Sequence, residues 1–407
     1  MFYLILSIFI LDFLFERTLS FLSIKNSKKP IPALLSDIYD WKKYARQQSY
    51  FRVNSRFGML TSSFSFLVML LMLLLGGFGW LDGVIQSWHL SEIVTALLFF
   101  GILFLANDIL SLPFDIYDTF IIEQKFGFNR ATPKIFALDR LKNYLLIAVI
   151  GGVLFSLIIF LYQLTENYFW LLAFGAVTVF GLFMSFFYSD IIVPIFNKQT
   201  PLPEGELRTE IEKFAQKVGF GLKNIYLIDG SKRSTKANAY FTGFGGKKRI
   251  VLYDTLLDKM TTQEIVAVLS HEIGHYKNRH TIKGMLVSLP SNLLLFFLLG
   301  LILKSDLFAQ ALGGREANFE LNILAFSILY TPISMLIDLI GNIFSRRHEY
   351  EADNFAKNYG FAPALISSLK KLSETSLSNL TPHSLVVFFR YSHPTLAQRV
   401  ENLSSEK

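Results

Sequence analysis

Seven stretches of this chain are apolar enough, for long enough, to cross a lipid bilayer, and they limit the fold more than any other feature. They lie near 2–22, 58–80, 93–112, 143–164, 167–189, 284–303 and 322–344. A helical crossing needs about 20 mainly apolar residues. In hydrocarbon each backbone N–H and C=O must be satisfied within the segment, so runs of this kind form helices. Composition agrees, with 52% hydrophobic and 17% charged residues. The first run is the poorest, because Asp12 and Glu16 interrupt it. It reads as a retained anchor rather than a signal peptide, having neither a basic lead-in nor a small-residue cleavage site.

The connections alternate in charge. Segment 17–57 holds Arg17, Lys25, Lys28, Lys29, Lys42, Lys43, Arg46, Arg52 and Arg56, whereas 81–92 holds no Lys or Arg. Segment 113–142 holds Lys125, Arg130, Lys134, Arg140 and Lys142, the link at 165–166 holds none, and 190–283 is again basic. Positive loops stay in the cytosol. The amino terminus is therefore expected outside, with the long loop and the carboxyl tail in the cytosol. The net charge of +7 then marks cytosolic faces, and no nucleic-acid partner is expected.

Four regions follow: a five-span membrane region at 1–189, a cytosolic region at 190–283, the sixth and seventh spans at 284–344, and a cytosolic carboxyl-terminal region at 345–407. The 190–283 region reads as a helix at about 204–218, three short strands, then a helix. The strands are Asn224 to Ile228, Ala239 to Thr242 and Lys248 to Tyr253, with Gly243, Gly245 and Gly246 turning a hairpin between the last two. Pro382 and Pro394 break the helical pattern of the tail.

The chemistry concentrates in His271-Glu272-Ile273-Gly274-His275. Histidines four apart on a helix lie nearly above one another, so both reach one metal ion. Glu272 is rotated by about 100° from His271, where a carboxylate reaches the water such an ion activates without ligating the ion. Thr261-Thr262-Gln263-Glu264 reads as the capping box that starts this helix. Gly274 is a poor helix former and implies a close neighbour. With no cysteine in the chain, a third ligand must be histidine or carboxylate. Glu349 and Asp353, four apart in Ser345-Arg346-Arg347-His348-Glu349-Tyr350-Glu351-Ala352-Asp353, are the best pair. Glu349 would ligate and Asp353 would orient a ligand imidazole; His280 and His348 are the weaker candidates. Three protein ligands and an open position describe a catalytic zinc, one per chain. Zinc lowers the pKa of coordinated water towards ~7, and Glu272 would take the proton as general base.

These motifs resemble the type I CaaX prenyl proteases, seven-span membrane zinc peptidases of the gluzincin type, over nearly the whole chain. The resemblance extends to Phe114-Asp115-Ile116-Tyr117, Glu123-Gln124-Lys125-Phe126-Gly127-Phe128-Asn129, Pro194-Ile195-Phe196-Asn197, Lys236-Ala237-Asn238-Ala239-Tyr240-Phe241 and Ser392-His393-Pro394-Thr395 with Arg399. It implies a mostly α polytopic membrane protein whose seven transmembrane helices enclose a chamber, with a cytosolic α+β zinc-peptidase region and a small sheet. It implies ligands His271, His275 and Glu349, and Glu272 as base. Asn238, with Ala239 and Tyr240, would lie along the substrate backbone, and His393 and Arg399 would hold the substrate or the developing oxyanion. The implied partners are a peptide or lipidated protein cleaved near its carboxyl terminus, and membrane lipid; a monomer is expected. Short non-cytosolic connections, and an ending without a dilysine or other retention signal, match a bacterial inner-membrane homologue; a eukaryotic source would place it in the endoplasmic reticulum.

Two other readings share some features. A broad-specificity quality-control peptidase would use the same chemistry, but seven spans and the full-length resemblance favour the first reading. A transporter with a structural metal would show inverted repeats and broken span pairs, and the sequence shows neither.

Overall fold

The computed structural model describes residues 1–165, 167–222, 224–242 and 249–405, with backbone only at 241 and 242. The expected hairpin connection at Gly243, Gly245 and Gly246, the strand start at Lys248, and the last two residues lie outside the described residues.

The fold is mostly helical. The amino-terminal half comprises α1 (Phe2–Asn26), α2 (Trp41–Leu74), α3 (Gly77–Gln86), α4 (Glu92–Glu123), α5 (Pro133–Thr165) and α6 (Phe169–Phe196). Then come α7 (Glu206–Lys217), α8 (Thr262–Lys277), α9 (His280–Ile302), α10 (Phe319–Leu329) and α11 (Thr331–Asn358). The tail adds α12 (Ala362–Thr375), α13 (Ser384–Arg390) and α14 (Leu396–Ser404). Among the described residues, α2, α4, α5, α6 and α9 are each long and apolar enough to cross a membrane, and the pair α10 and α11 makes a sixth if its 52° bend is taken as one broken span. Helix α1 carries Asp12, Glu16 and Arg17 and is not among them.

Local chemistry explains the breaks. The second apolar run does not continue as one helix to residue 80. Gly76 takes a left-handed conformation (φ 65°), which ends α2 and starts α3. The seventh run bends at Tyr330, where Pro332 in the first turn of α11 has no N–H to give the preceding helix. Both α4 and α5 absorb a π-helical stretch, at Asp118–Glu123 and Ile147–Gly151. Helix α4 runs unbroken through Asn107 and Asp108. Asp108 accepts from Arg140 Nε at 2.9 Å and from the Tyr144 hydroxyl. Asn107 lines a cavity of about 620 Å³ beside α2 and α4, with Phe64, Met72, Phe114 and Leu324.

Separate apolar clusters hold the parts. Ile5, Leu73, Phe78, Phe99, Leu321 and Ala325 join α1 to α4 and α10. Ile159, Phe169, Phe296 and Leu299 tie α5, α6 and α9. The sheet has the order β1-β2-β4-β3, with β1 (Gln199–Pro201), β2 (Asn224–Ile228), β3 (Ala239–Thr242) and β4 (Arg249–Tyr253). β2 and β4 run parallel, while β3 pairs antiparallel with β4 as the hairpin reading required. β1 was not anticipated from the sequence. It pairs antiparallel with β2, and three residues ending in proline carry no readable period. Ile211, Phe214, Ile250, Leu252, Ile265 and Leu269 pack α7 and α8 on the sheet.

The sheet is fastened to the end of α4. Glu123 accepts from Lys236 Nζ at 2.8 Å and from the Tyr50 hydroxyl at 2.5 Å. Thr235 N donates to the Phe128 carbonyl at 3.1 Å. Lys236 leads directly into β3, which is an edge strand.

Candidate metal centre

Helix α8 begins where the sequence says it should. Thr261 Oγ1 accepts from Glu264 N at 3.4 Å, and Glu264 Oε2 accepts from Thr261 N at 2.8 Å. Glu264 is also pinned from outside by Ser367 Oγ at 2.6 Å and Lys371 Nζ at 2.7 Å, both on α12. Burial pushes the Glu264 carboxyl up, but the bonds from Lys371, Ser367 and Thr261 outweigh it and hold its pKa at about 2.

Gly274 explains how α8 meets α11. A Cβ there would lie 3.0 Å from Phe355 Cβ and 3.1 Å from the Ala352 Cα and carbonyl oxygen. The neighbour inferred from this glycine is therefore the backbone of α11. That close approach sets His271 and His275 opposite Glu349, one turn before Ala352. Helix α11 runs unbroken from the membrane part across residue 344 to this site.

Three donor atoms converge. His271 Nε2 lies 3.2 Å from His275 Nε2 and 3.5 Å from Glu349 Oε2, and His275 Nε2 lies 3.2 Å from Glu349 Oε1. Bonds of about 2.0–2.1 Å in tetrahedral geometry place ligand atoms about 3.3 Å apart, so these spacings fit one small cation. The outer nitrogens are already committed. His271 Nδ1 lies 2.9 Å from Asp353 Oδ1, and a carboxylate only accepts, so the neutral ring keeps its proton there and leaves Nε2 bare. Glu349 is buried; its Oε2 makes no hydrogen bond and has the Arg399 guanidinium as its ion-pair neighbour. With that His271 tautomer, lone pairs of His271, His275 and Glu349 face one another, an arrangement that a cation among them relieves. Burial pushes His271 down, yet its bonds to Asp353 and Glu349 push its pKa up to about 9. The pocket favours positive charge.

The remaining expected residues fall at several distances from this centre. Glu272 sits half-buried on the same turn of α8. His393 is largely exposed (62% of its side chain), with Nε2 3.3 Å from Glu349 Oε1 and Nδ1 2.9 Å from Ser392 Oγ. Arg399 is deep rather than open: Nε and Nη2 grip Asp353 at 2.9 and 2.6 Å, and Nη1 lies 3.4 Å from Glu349 Oε2. A second capping box, Thr395 with Gln398, starts α14 and presents Arg399. Asn238 is exposed before β3. Its side chain accepts from Ala239 N at 2.9 Å and its carbonyl accepts from Tyr253 N at 3.1 Å. Among the described residues, Ala239 and Tyr240 pair with Leu252 and Val251 on one side only.

Sequence reading missed one group. His280, considered only as a weaker third ligand, lies behind His275, with its Nδ1 2.9 Å from His275 Nδ1 and its Nε2 2.9 Å from Glu351 Oε2. His348, the other candidate, stacks on His280 at 4.1 Å. The spacing alone could not show this, because the helix ends at Lys277 and Arg279 turns the chain in a left-handed conformation (φ 57°).

Comparison with known proteins covers both halves of the chain. Residues 20–198 match the CAAX prenyl protease N-terminal model of five membrane helices, and residues 201–407 match peptidase family M48. The probable CAAX prenyl protease 1 of Schizosaccharomyces pombe is 36% identical, over 92% of this chain and 81% of its own. CAAX prenyl protease 1 of Saccharomyces cerevisiae is 33% identical, over 98% and 94%. The crystal structure of S. mikatae Ste24p matches with a TM-score of 0.93 at 31% identity, covering 99% of this chain and 98% of that one. With a His-His-Glu cluster on two helices packed through a glycine, five helices long and apolar enough to cross a membrane among the described residues, and both halves matched, the chain belongs to the CAAX prenyl protease 1 group of the M48 metallopeptidases and is an integral-membrane protease.

Proposed function

We propose that this chain is a zinc metalloendopeptidase that hydrolyses peptide bonds near the carboxyl terminus of prenylated CaaX-type proteins. The observation that carries it is the trio of donor atoms at tetrahedral spacing, two of them on the helix that also carries Glu272. His271, His275 and Glu349 would hold the zinc. When bound, zinc supplies Lewis acidity, which acidifies a coordinated water and polarises the scissile carbonyl. Glu272 accepts the proton of the attacking water and returns it to the leaving amine. The open side of edge strand β3 takes the substrate backbone as an added strand, with Asn238, Ala239 and Tyr240 along it. His393, exposed beside Glu349, faces the developing oxyanion. Arg399 acts behind it by holding Asp353, and Asp353 holds His271.

Seven spans are proposed, with α1 as the first and the bent α10–α11 pair as the last. Two of the charges of α1 have partners within the protein: Glu16 pairs with Arg390, and Arg17 donates to Ser62 and Ser63 at 3.0 and 2.9 Å. Polar groups in a span are tolerated when so paired. The four-part division at 189, 283 and 344, the cytosolic facing of the site and the monomeric state complete the reading.

The test compares a farnesylated carboxyl-terminal peptide with its unprenylated form, using detergent-purified protein. Cleavage of the farnesylated peptide should stop with a chelator and return with zinc. Absence of zinc-dependent cleavage would overturn the reading.

A further inference from the structure

The two histidine ligands are supported differently. His271 leans directly on Asp353. His275 leans on His280, whose far nitrogen leans on Glu351. If His275 binds metal through Nε2, its proton is on Nδ1, so His280 Nδ1 must accept. That leaves the proton of His280 on Nε2, where it is donated to the Glu351 carboxylate. Every group then has a consistent role: donor, acceptor, donor, acceptor. A ligand imidazole is aimed by the bond its other nitrogen makes, and here that bond comes from a second imidazole.

The surroundings hold His280 in that orientation. Its ring is buried and stacks nearly parallel on His348, at 9° between planes. Glu351 is fixed in turn by Lys283 Nζ at 3.4 Å and Arg347 Nε at 3.2 Å. The left-handed Arg279 turns the chain so that His280 opens α9 against His275.

We infer that His280 and Glu351 are positioning residues for the metal site, forming a carboxylate–imidazole relay that fixes the tautomer and direction of His275. This rests on the reading of His275 as a ligand. The relay reaches the substrate only through His275, so its effect belongs to metal affinity and turnover rather than to peptide binding.

The test measures zinc affinity by chelator competition on full-length protein, together with kcat, KM and the unfolding midpoint of zinc-free protein. His280→Phe keeps the stack on His348 but cannot accept a proton. It should weaken zinc binding by about 10–100-fold, lower kcat at limiting zinc, and leave KM and the zinc-free midpoint near wild type. His280→Asn, whose amide oxygen can stand in for Nδ1, should recover part of the affinity, and Glu351→Ala should lose a smaller part. Wild-type zinc affinity in His280→Phe would overturn the relay, as would an affinity loss in it that tracks a fall in the zinc-free midpoint and is not recovered by Asn. If His280→Phe does not fold, Glu351→Ala decides: unchanged affinity there counts against the relay and weakened affinity supports it. A wild-type protein that binds no zinc would instead overturn the ligand reading beneath it.

Discussion

At the scale of single residues, the centre is built from groups that are each already spoken for on one side. Asp353 is fully buried and shared between His271 and the two-pronged grip of Arg399. Removing one partner of a buried ion pair leaves a charge without compensation. Arg399→Met should therefore lower the stability of zinc-free protein by about 3 kcal/mol. Arg399→Lys should cost less, because it keeps the charge and loses only the fork. Denaturant unfolding in detergent checks this, and equal stabilities for Met and wild type would mean that Asp353 is held some other way. The ligand histidines were legible because their relation is local, four residues on one helix. Glu349 and Asp353 were legible as a pair on one face, though which side chains they met depended on packing. His280 was not legible, because its position follows from one left-handed residue that no periodicity announces.

At the scale of elements, α8 and α11 are the frame, and Gly274 is where they touch. Alanine is the better helix former by about 1 kcal/mol, yet a methyl group here meets the backbone of Ala352. Gly274→Ala should push α8 off α11 and weaken zinc binding at least tenfold, read by chelator competition; undiminished affinity would show that the contact has slack. The other end of α8 gives a pH signature. Glu264 is held near 2 in the fold, against 4.5 for the free group. A depressed carboxyl contributes stability that is present above pH 4.5 and is lost as pH falls towards 2. The contribution is about 3 kcal/mol. Thermal unfolding of zinc-free protein should lose stability between about pH 4.5 and 2, and Glu264→Gln should flatten that slope. The start of α8 could be read in advance because a capping box is a four-residue signal. The anchoring of Glu264 by Ser367 and Lys371 spans more than a hundred residues and leaves no local trace.

At the scale of the molecule, the apolar runs located five helices long and apolar enough to cross a membrane, or six with the bent pair, and the alternation of basic loops is the ground for the proposed direction. Hydropathy located the runs and missed their breaks, since Gly76 and Pro332 act through backbone geometry rather than polarity. The orientation is directly testable because the chain has no cysteine. Single Ser87→Cys and Lys213→Cys variants, both at exposed positions, should react with a membrane-impermeant maleimide from opposite sides, Lys213→Cys from the cytosolic one. Labelling from the same side would refute the proposed topology. The central claim is that His271, His275 and Glu349 hold one zinc that serves hydrolysis through Glu272. Its most direct test is to measure zinc per chain and peptide turnover together in wild type, Glu272→Gln and Glu349→Ala. The account predicts one zinc and activity in wild type, one zinc with turnover reduced by about 10²–10⁴-fold in Glu272→Gln, and loss of both in Glu349→Ala. Full turnover in Glu272→Gln, or one tightly held zinc in Glu349→Ala, would contradict it.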